Sequence, residues 1–553
     1  MPLQSRSLAL ILLALPFFLN LGTSSLWDAN EAFYAETPRE MVERGDYIYP
    51  TFNYEPRIHK PPLAYWLVAA SYRLVGVSEF SARLPSAVAA CALLGFLIYF
   101  LRLKNDRAPE ARDHSWTTAI LAASILATTP RFLIVARRLP IDCLLAVFLT
   151  LALLLVYWAF HSDETAKTVS QRYWKWGAAG FFTGLAFLTK GPVALLLLMI
   201  IAGIFAWMEG RRPGRGTAFF FAVFLSTALP YYVLLYQRGG SAAIYNFFIT
   251  ENLGRYTIVD FSPARAPSYF LEVLLADAFP WSWFLPAAVY LWKSWRSAHR
   301  SLLRFCWIWL VTILIFFSFS HTKEEYYLLP AYPALAILLA HFFGSLPQAV
   351  GKGQRVLAVN GFAVGVGLAG MGVFVLRLSR VLLPGIVTWL VPLLFVLGAL
   401  VMIRLFWRGQ ALRAAGFLSM LLLLISINVA AIFLPVLETL RPTRRLTAQA
   451  AAILGPEDHP GYFRFASPSM CFYLRRHICE LFGNGELEAN LDKPGRSILL
   501  MQGSDYDQLP SRIRDRMEIV ASAQRFPTRG RELLKIRSAA DLPRVLLLAE
   551  KRK

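Results

Sequence analysis

The chain has 553 residues, of which 56% are hydrophobic, 14% aromatic and only 16% charged. Soluble globular domains carry about 25% charged residues, so this composition excludes a water-soluble protein and indicates a polytopic membrane protein. The formal net charge of +21 would suggest a nucleic-acid partner in a soluble chain, but membrane proteins concentrate Lys and Arg in their cytoplasmic loops. No nucleic-acid partner is therefore expected.

Long apolar runs recur through the first 437 residues. Thirteen are present, at about residues 8–21, 84–101, 116–135, 141–160, 176–188, 193–207, 218–236, 269–292, 305–319, 328–343, 356–376, 381–406 and 414–437. Because about 20 apolar residues cross the hydrocarbon core as a helix, they predict an α-helical membrane domain over residues 1–437 with about 13 transmembrane helices. Residues 63–75 are apolar but too short to span, which predicts a helix lying along the interface.

The loops between these runs predict the orientation. With the N-terminus in the cytoplasm, every second loop is basic, as with Arg211, Arg212 and Arg215. The positive-inside rule then places the remaining loops, including the long ones at about residues 25–83 and 237–268, on the outer face of the membrane. An odd number of helices leaves the chain after residue 437 on that same face.

Residues 438–553 are more polar and contain short β-rich runs at residues 462–466, 497–501, 517–521 and 532–536. This pattern predicts a periplasmic α/β domain of common size. Cys471 and Cys479 lie in it. In an oxidising periplasm they form either a disulfide or two free thiols, and the sequence leaves both alternatives open.

Ionisable residues gather where the predicted helices meet the outer face. The first long loop has acids near its start, Asp28 and Glu31, and bases near its end, Arg57, His59 and Lys60. Further candidates stand at helix ends and in the second long loop, namely Arg138, Asp142, Lys190, Glu251, Arg255, Arg265, Lys323, Tyr326 and Tyr327.

Charges at membrane depth are costly and usually face a cavity or one another. Cations that converge on the outer leaflet, against the positive-inside trend, indicate an anionic partner, and a lipid phosphate suits Arg and Lys donors. The periplasm has no nucleotide sugar, so an energised lipid-linked sugar would be the donor for group transfer. Acids beside the bases would orient the substrate or act as a general base.

Short motifs occur along residues 25–345 in a fixed order. They include Asn30-Glu31 with Tyr34-Ala35-Glu36, Lys60-Pro61-Pro62, Thr189-Lys190-Gly191, and Lys323 with Tyr326 to Pro330. In these motifs the chain resembles the polyprenyl-phosphate-sugar-dependent glycosyltransferases that include bacterial aminoarabinose lipid A transferases and protein O-mannosyltransferases. The resemblance implies the C-type glycosyltransferase fold, with the first outer loop in the active site.

The resemblance also implies an activity. It is inverting transfer of a sugar from undecaprenyl phosphate, or a related polyprenyl phosphate, to a periplasmic acceptor. The leading version is transfer of 4-amino-4-deoxy-L-arabinose to lipid A phosphate in lipopolysaccharide. The alternative within this class is transfer of a hexose to protein or surface polysaccharide. The rival class is a lipid or sugar transporter. The absence of an internal repeat and the location of the charges at the outer helix ends argue against it.

Roles follow for individual residues. Asp28, Glu31 and Asp142 are candidate catalytic residues. Substrate binding is assigned to the remaining candidates, Asn30, Arg57, His59, Lys60, Arg138, Lys190, Glu251, Arg255, Arg265, Lys323, Tyr326 and Tyr327. The structural alternatives are snorkelling for the basic residues and helix capping for the acids.

The chain departs from the family at Asn30, where the family usually has Asp. Asparagine cannot act as a base, so Asp28 or Glu31 replaces it, or no strong base is needed. The last option suits a phosphate acceptor, which is already an anion at neutral pH. No cofactor is required on this view. If a divalent cation takes part, His59 and His321 are its candidate ligands, although no close-spaced ligand motif supports one.

Overall fold

The computed structural model describes residues 3–28, 31–105, 111–138, 141–162, 169–212, 214–257, 265–295, 299–346, 351–382, 387–526, 536, 538 and 541–551. Helices make up most of the described chain up to residue 453. Their bounds are α1 Leu3–Phe18, α2 Glu31–Arg44, α3 Leu63–Val75, α4 Glu79–Asn105, α5 Ala111–Ala127, α6 Pro130–Ala136, α7 Ile141–Ser162, α8 Val169–Lys190, α9 Pro192–Met208, α10 Arg215–Tyr245, α11 Arg255–Thr257, α12 Tyr269–Asp277, α13 Leu285–Tyr290, α14 Trp292–Trp295, α15 Arg300–Ser318, α16 Tyr332–Ser345, α17 Gly351–Leu382, α18 Val387–Trp407, α19 Ala411–Asn428, α20 Leu434–Glu438 and α21 Pro442–Ile453.

Each of the thirteen apolar runs contains helix, but fewer pass a test of length and composition for crossing a membrane. Eight helical segments of the described residues pass, and two bent pairs raise the number to ten if each pair is one span. The bent pairs are Trp116–Ala127 with Pro130–Ala136, at 69°, and Tyr269–Asp277 with Trp281–Tyr290, at 107°. The difference from thirteen has a physical reason, because α1 and α9 have only 16 and 17 residues and α8 is polar near both ends.

Successive helices run in alternating directions, so the polar candidates collect at one end of the bundle. We call this the loop end, and define it as the end where α7 begins and α8 finishes. The first loop and the C-terminal sheet lie at this end, since Glu438 at the end of α20 accepts hydrogen bonds from the backbone and hydroxyl of Ser25. The basic residues Arg211, Arg212 and Arg215 lie at the opposite end, between α9 and α10.

The first loop is folded. It consists of α2, a short hairpin of β1 Thr51–Phe52 and β2 Glu55–Pro56, and α3. The prediction of a helix over residues 63–75 is confirmed by α3. Helix α2 buries residues around its whole circumference and ends at Gly45, whose φ of 67° lies in the left-handed region that favours glycine.

The chain after residue 453 forms a mixed five-stranded sheet with helices. Its elements are β3 His459–Phe463, α22 Ser469–Leu474, β4 Cys479–Leu481, α23 Asn484–Leu491, β5 Ser497–Gln502, α24 Gly503–Asp507, α25 Ser511–Arg514, β6 Met517–Gln524 and β7 Arg544–Glu550. The strand order is β4-β3-β5-β7-β6, in which β3 is parallel to β4 and β5, and β7 is antiparallel to β5 and β6. The predicted α/β class is confirmed, whereas the domain boundary at residue 438 stays a prediction.

Two details of this region differ from expectation. The sequence pattern did not predict β4 or β7, and most of the predicted run 532–536 lies outside the described residues. The disulfide alternative is wrong, because Cys471 and Cys479 are both free thiols. The Cys471 thiol lies 3.1 Å from Oε1 of Glu36 in α2.

Candidate active site

The predicted site residues that the structure describes lie at the loop end and form several groups. The first group, which we call the Lys190 cluster, consists of Asp142, Lys190 and Tyr327. Gly191, with φ of 87°, ends α8 just after Lys190 and lets the chain turn into α9. The ammonium of Lys190 donates to Oδ1 of Asp142, at the start of α7, and lies 4.3 Å from the ring centre of Tyr327. The carboxylate partner and the aromatic face together hold a largely buried cation.

The second group, the Lys60 cluster, lies between the first and second long loops. Lys60 Nζ is 3.9 Å from one carboxylate oxygen of Glu251, and His59 Nδ1 is 3.6 Å from the other. Glu251 is buried within the π-helical turn Asn246–Gly254, a conformation that occurs often at functional sites. The structure therefore brings Glu251 close to His59 and Lys60, which lie almost 200 positions earlier in the sequence.

Lys323 and Arg265 lie near the Lys190 cluster. Lys323 is buried, and its ammonium donates to the carbonyl of Ser320. The Arg265 guanidinium donates to the Tyr269 hydroxyl and stacks on that ring, with 4.4 Å between its central carbon and the ring centre. Burial raises the pKa of Glu324, and Arg265, Asp142 and Lys190 are all close enough to influence it. These charges therefore share one electrostatic environment.

Arg57 and Arg138 both contact aromatic rings. The Arg57 guanidinium carbon lies 3.8 Å from the ring centre of Phe33, and its Nε is buried and has no hydrogen-bond partner among the described residues. Arg57 lines a cavity of about 550 Å³, whose wall also includes His59 and residues of the C-terminal sheet. The Arg138 guanidinium carbon lies 4.1 Å from the ring centre of Trp27.

Glu31 is bound on both carboxylate oxygens. It accepts two hydrogen bonds from Arg83, at 3.0 Å from Nε and 2.7 Å from Nη2, and one from the backbone of Trp27. Burial opposes its ionisation, but the charge of Arg83 and then that of Arg138 hold the pKa of Glu31 below its ordinary value. A carboxylate in this position orients its neighbours more readily than it accepts a proton.

Asp28 contacts the C-terminal region. Its oxygens accept hydrogen bonds from the Thr443 hydroxyl, at 2.9 Å, and from the backbone N–H of Ser469, at 3.0 Å. Burial raises the pKa of Asp28, although both hydrogen bonds favour the charged form. This geometry assigns Asp28 at least a structural part in joining the first loop to the C-terminal helices.

Some candidates are only partly described. Asn30 and the side chain of Arg255 lie outside the described residues, so their roles stay predictions. The His321 ring Nδ1 lies 3.1 Å from the carbonyl oxygen of Tyr256. Among the described residues, neither His59 nor His321 belongs to a group of three or more potential metal ligands, so metal binding there also stays a prediction.

Sequence reasoning assigned no site role to three arginines at the loop end, although Arg83 belongs to one of the motifs of the resemblance. Arg83 holds Glu31, Arg441 contacts Trp27, and Arg131 binds Asp277 through Nε at 2.7 Å. Arg131 carried a signal that could have found it, because a charge inside an apolar run is expensive and is usually functional. No local signal marks Arg441, whose contact with Trp27 depends on the packing of chain segments far apart in sequence.

Glu40 lies where the first loop meets the C-terminal sheet. The Asn53 side chain there exchanges two hydrogen bonds with the backbone of Ile478, at 2.9 and 2.8 Å. Burial raises the pKa of Glu40 from its ordinary 4.5 to about 7, although the Thr51 hydroxyl and the Tyr54 N–H donate to it. Because the pKa in the folded state is the higher one, folding takes up a proton, and the stabilisation from protonated Glu40 is lost as the pH rises from 4.5 to about 7.

The raised pKa of Glu40 predicts that the effect of Glu40→Gln on thermal stability depends on pH. The variant cannot ionise, so its unfolding temperature relative to wild type should rise between about pH 5 and about pH 8. Thermal unfolding of the detergent-solubilised protein at both values measures this difference. Glu55→Gln, which removes an exposed carboxylate from the hairpin that packs on Glu40, is the matched control. A pH-independent difference between Glu40→Gln and wild type would contradict the prediction.

Comparison with known proteins relates this site to membrane glycosyltransferases. Residues 59–235 match a family described as dolichyl-phosphate-mannose-protein mannosyltransferase. The undecaprenyl phosphate-alpha-4-amino-4-deoxy-L-arabinose arabinosyl transferase of Pectobacterium carotovorum subsp. carotovorum is 31% identical over 387 residues, which are 67% of this chain and 66% of the relative. The protein of the same name from Shewanella sediminis is 31% identical over 62% of this chain and 60% of the relative. The matched stretch thus spans between 60% and 66% of the length of these two relatives.

The fold has a solved counterpart. ArnT from Cupriavidus metallidurans, in a crystal structure bound to undecaprenyl phosphate, superposes with a TM-score of 0.73 over 99% of this chain and 98% of that chain, at 22% identity. This likeness covers the membrane helices and the C-terminal sheet together, and confirms the predicted architecture. The chain is similar to aminoarabinose transferases and, over residues 59–235, to protein mannosyltransferases, and it has the C-type glycosyltransferase fold.

Proposed function

We propose that this protein transfers 4-amino-4-deoxy-L-arabinose from undecaprenyl phosphate to a phosphate of lipid A at the periplasmic face of the inner membrane. The observation that carries the proposal is the set of buried or half-buried lysines at the loop end, of which Lys60 and Lys190 each have a carboxylate partner. Relatives named for this transfer support the choice of sugar and donor.

The chemistry of the donor explains why such lysines are needed. A phosphate oxygen of the acceptor attacks the anomeric carbon and forms a new C–O bond. The old C–O bond breaks, and its electron pair leaves with undecaprenyl phosphate, which changes from a singly charged diester to a more highly charged monoester. Lys190, Lys60 and Lys323 stabilise this developing charge, and attack from the opposite side inverts the anomeric centre.

This reaction removes no proton from a phosphate acceptor at neutral pH, so it needs no strong base. Asn30 in place of the family's Asp is compatible with that, and so is Glu31 with both oxygens engaged by Arg83. Asp142 holds Lys190 in position until the donor phosphate arrives. Asp28 and Glu31 then act by positioning the first loop.

The orientation is part of the proposal. The loop end faces the periplasm, because the basic residues at the opposite end, Arg211, Arg212 and Arg215, fit the cytoplasmic side. The donor and acceptor lipids would both reach the site from the outer leaflet. No resident cofactor is needed. A divalent cation, if one is bound, would lie near His59 and Glu251, whose nitrogen and oxygen donors are of the type that holds such ions.

One observation favours a second candidate, transfer of a hexose to protein, because the family matched at residues 59–235 is described as a protein mannosyltransferase. A Ser or Thr hydroxyl is a poor nucleophile until a base removes its proton. The two candidates therefore differ in whether a base is essential, and also in the molecule that gains mass.

Mass spectrometry of lipid A from matched cells with and without this gene tests the proposal. The host must make polyprenyl-linked aminoarabinose but lack its own transferase. We expect a gene-dependent mass increase of one aminopentose per modified phosphate, and none with a Lys190→Ala variant that is inserted at the same level. Unmodified lipid A together with a gene-dependent glycoprotein would reject this proposal in favour of protein transfer.

A further inference from the structure

A second cavity lies apart from the Lys60 and Lys190 clusters. Its volume is about 420 Å³, and it lies where the end of the last membrane helix, the start of the first loop and the C-terminal region meet. Apolar and cationic side chains share its wall, namely Leu437, Leu440, Phe465, Phe526, Arg441 and Arg525. A wall of this kind suits a molecule that has both a charge and an apolar part.

Positive charge concentrates on one side of this cavity. The Arg441 guanidinium carbon lies 4.3 Å from the ring centre of Trp27, which lines the cavity, and Arg138 contacts the same indole at 4.1 Å. Within the described part of the chain, neither guanidinium forms an ion pair with a carboxylate. Glu31 influences both arginines but gives its two oxygens to Arg83. Glu438 and Asp28 also influence Arg441, and their oxygens accept hydrogen bonds from Ser25 and from Thr443 and Ser469, respectively.

The two arginines repel each other in a setting with little water. Burial, and after it the charge of Arg138, lower the pKa of Arg441 to about 10. Buried charges of one sign are costly unless an opposite charge compensates them. A bound anion would supply that compensation. Among biological anions, phosphate matches the planar fork of a guanidinium best.

We propose that this cavity binds the phosphate-bearing headgroup of the acceptor glycolipid, an inference that rests on the proposed function. Leu437 and Leu440 continue from the last membrane helix into the cavity wall, which gives a lipid-borne phosphate an apolar path that a free phosphate does not need. Asp28 also lines the cavity, but its oxygens are engaged by Thr443 and Ser469. The arginine side chains therefore make the cavity selective for a negatively charged group.

The cavity is also suitably placed with respect to the donor. Arg138, which shares Trp27 with Arg441, lies just before α7, where Asp142 holds Lys190. Tyr326 is close enough to both Arg138 and Asp142 to interact with their charges. An acceptor phosphate held by Arg138 and Arg441 would thus lie next to the Lys190 cluster.

Direct binding to the full-length protein in detergent, without any sugar donor, tests the assignment. The probes are diphosphorylated lipid A, the same lipid after removal of its phosphates, and undecaprenyl phosphate as a donor mimic. Arg441→Gln and Arg525→Gln remove charge from two different parts of the wall. Arg445→Gln removes an exposed charge from α21, the helix that follows Arg441, and is the matched control.

We expect Arg441→Gln to weaken binding of diphosphorylated lipid A about ten- to a hundredfold, as for the loss of a hydrogen bond to a charged group. Arg525→Gln should weaken it in the same direction. Arg445→Gln should bind like wild type, and undecaprenyl phosphate should bind all the variants equally. If Arg441→Gln fails to fold, the proposal is still tested by the binding of Arg525→Gln and by the comparison of phosphorylated with dephosphorylated lipid A.

Three results would overturn the assignment. The first is equal binding of phosphorylated and dephosphorylated lipid A by wild type, and the second is unchanged binding by both cavity variants. The third is displacement of the lipid by equimolar inorganic phosphate, which would assign the cavity to free phosphate. Because no donor is present, the assay does not depend on transfer. If lipid A binds in an Arg441-dependent manner but the protein never transfers sugar to it, the proposed function is rejected and the assignment of the binding site is kept.

Discussion

Lys190→Ala is expected to lower sugar transfer by about thirtyfold or more while leaving the amount of folded protein unchanged. The ammonium of Lys190 is largely buried, donates to Asp142 and lies over Tyr327, so it is a fixed cation in a site with little water. Removing one partner of such a charge pair costs about 2–5 kcal/mol, which corresponds to a loss of about thirtyfold or more. Turnover of undecaprenyl-phosphate aminoarabinose by purified protein in lipid measures the effect.

The control for this variant lies on the same helix. Lys175, near the other end of α8, also contacts aromatic rings, with its Nζ 4.6 Å from the ring centre of Trp158. Lys175→Ala should retain transfer, because it removes a cation far from the loop end. A double variant, Lys190→Met with Asp142→Leu, distinguishes a structural pair from a functional one. Recovery of transfer in the double variant would show that Lys190 only neutralises Asp142.

Hydrophobicity made the membrane helices predictable, because each apolar run must bury its backbone polar groups in helical hydrogen bonds. The breaks within the runs were not predicted. Pro130 begins α6 after a sharp bend, and the apolar run of residues 269–292 divides at Pro280 into short segments. Such breaks depend on how neighbouring helices compensate for a lost N–H, which a hydropathy pattern does not show.

The site was predictable to the extent that its residues lie at the ends of these helices. Asp142 and Lys190 had to lie at the same end of the bundle, since one begins a helix and the other finishes the next. The pairing of Lys60 with Glu251 did not follow in this way, because it joins two loops whose folds are set by tertiary packing. The contact of Arg441 with Trp27 likewise requires the docking of the C-terminal region, for which the sequence has no periodic signal.

Arg83→Lys is expected to destabilise the protein by about 1–3 kcal/mol, because it leaves some of the buried acceptors of Arg83 without a hydrogen bond. Arg83 uses both edges of its guanidinium. It binds Glu31 through Nε and Nη2, and it donates from Nη1 to the carbonyls of Leu21 and Ser24, at 2.9 and 2.8 Å. A lysine keeps the charge but has no planar fork, so it cannot hold both sets of acceptors.

Thermal unfolding of the detergent-solubilised variant, followed by the loss of monodisperse protein, measures this effect. Arg444→Lys is the control, because Arg444 pairs with Glu79 at 3.1 Å but its side chain is 40% exposed. Exposed ion pairs contribute about 0–1 kcal/mol, so this change should be nearly silent. Equal unfolding temperatures for the two variants would mean that Arg83 does not hold the first loop in place. Glu31 would then be available for proton transfer, and the argument for a phosphate acceptor would lose one of its supports.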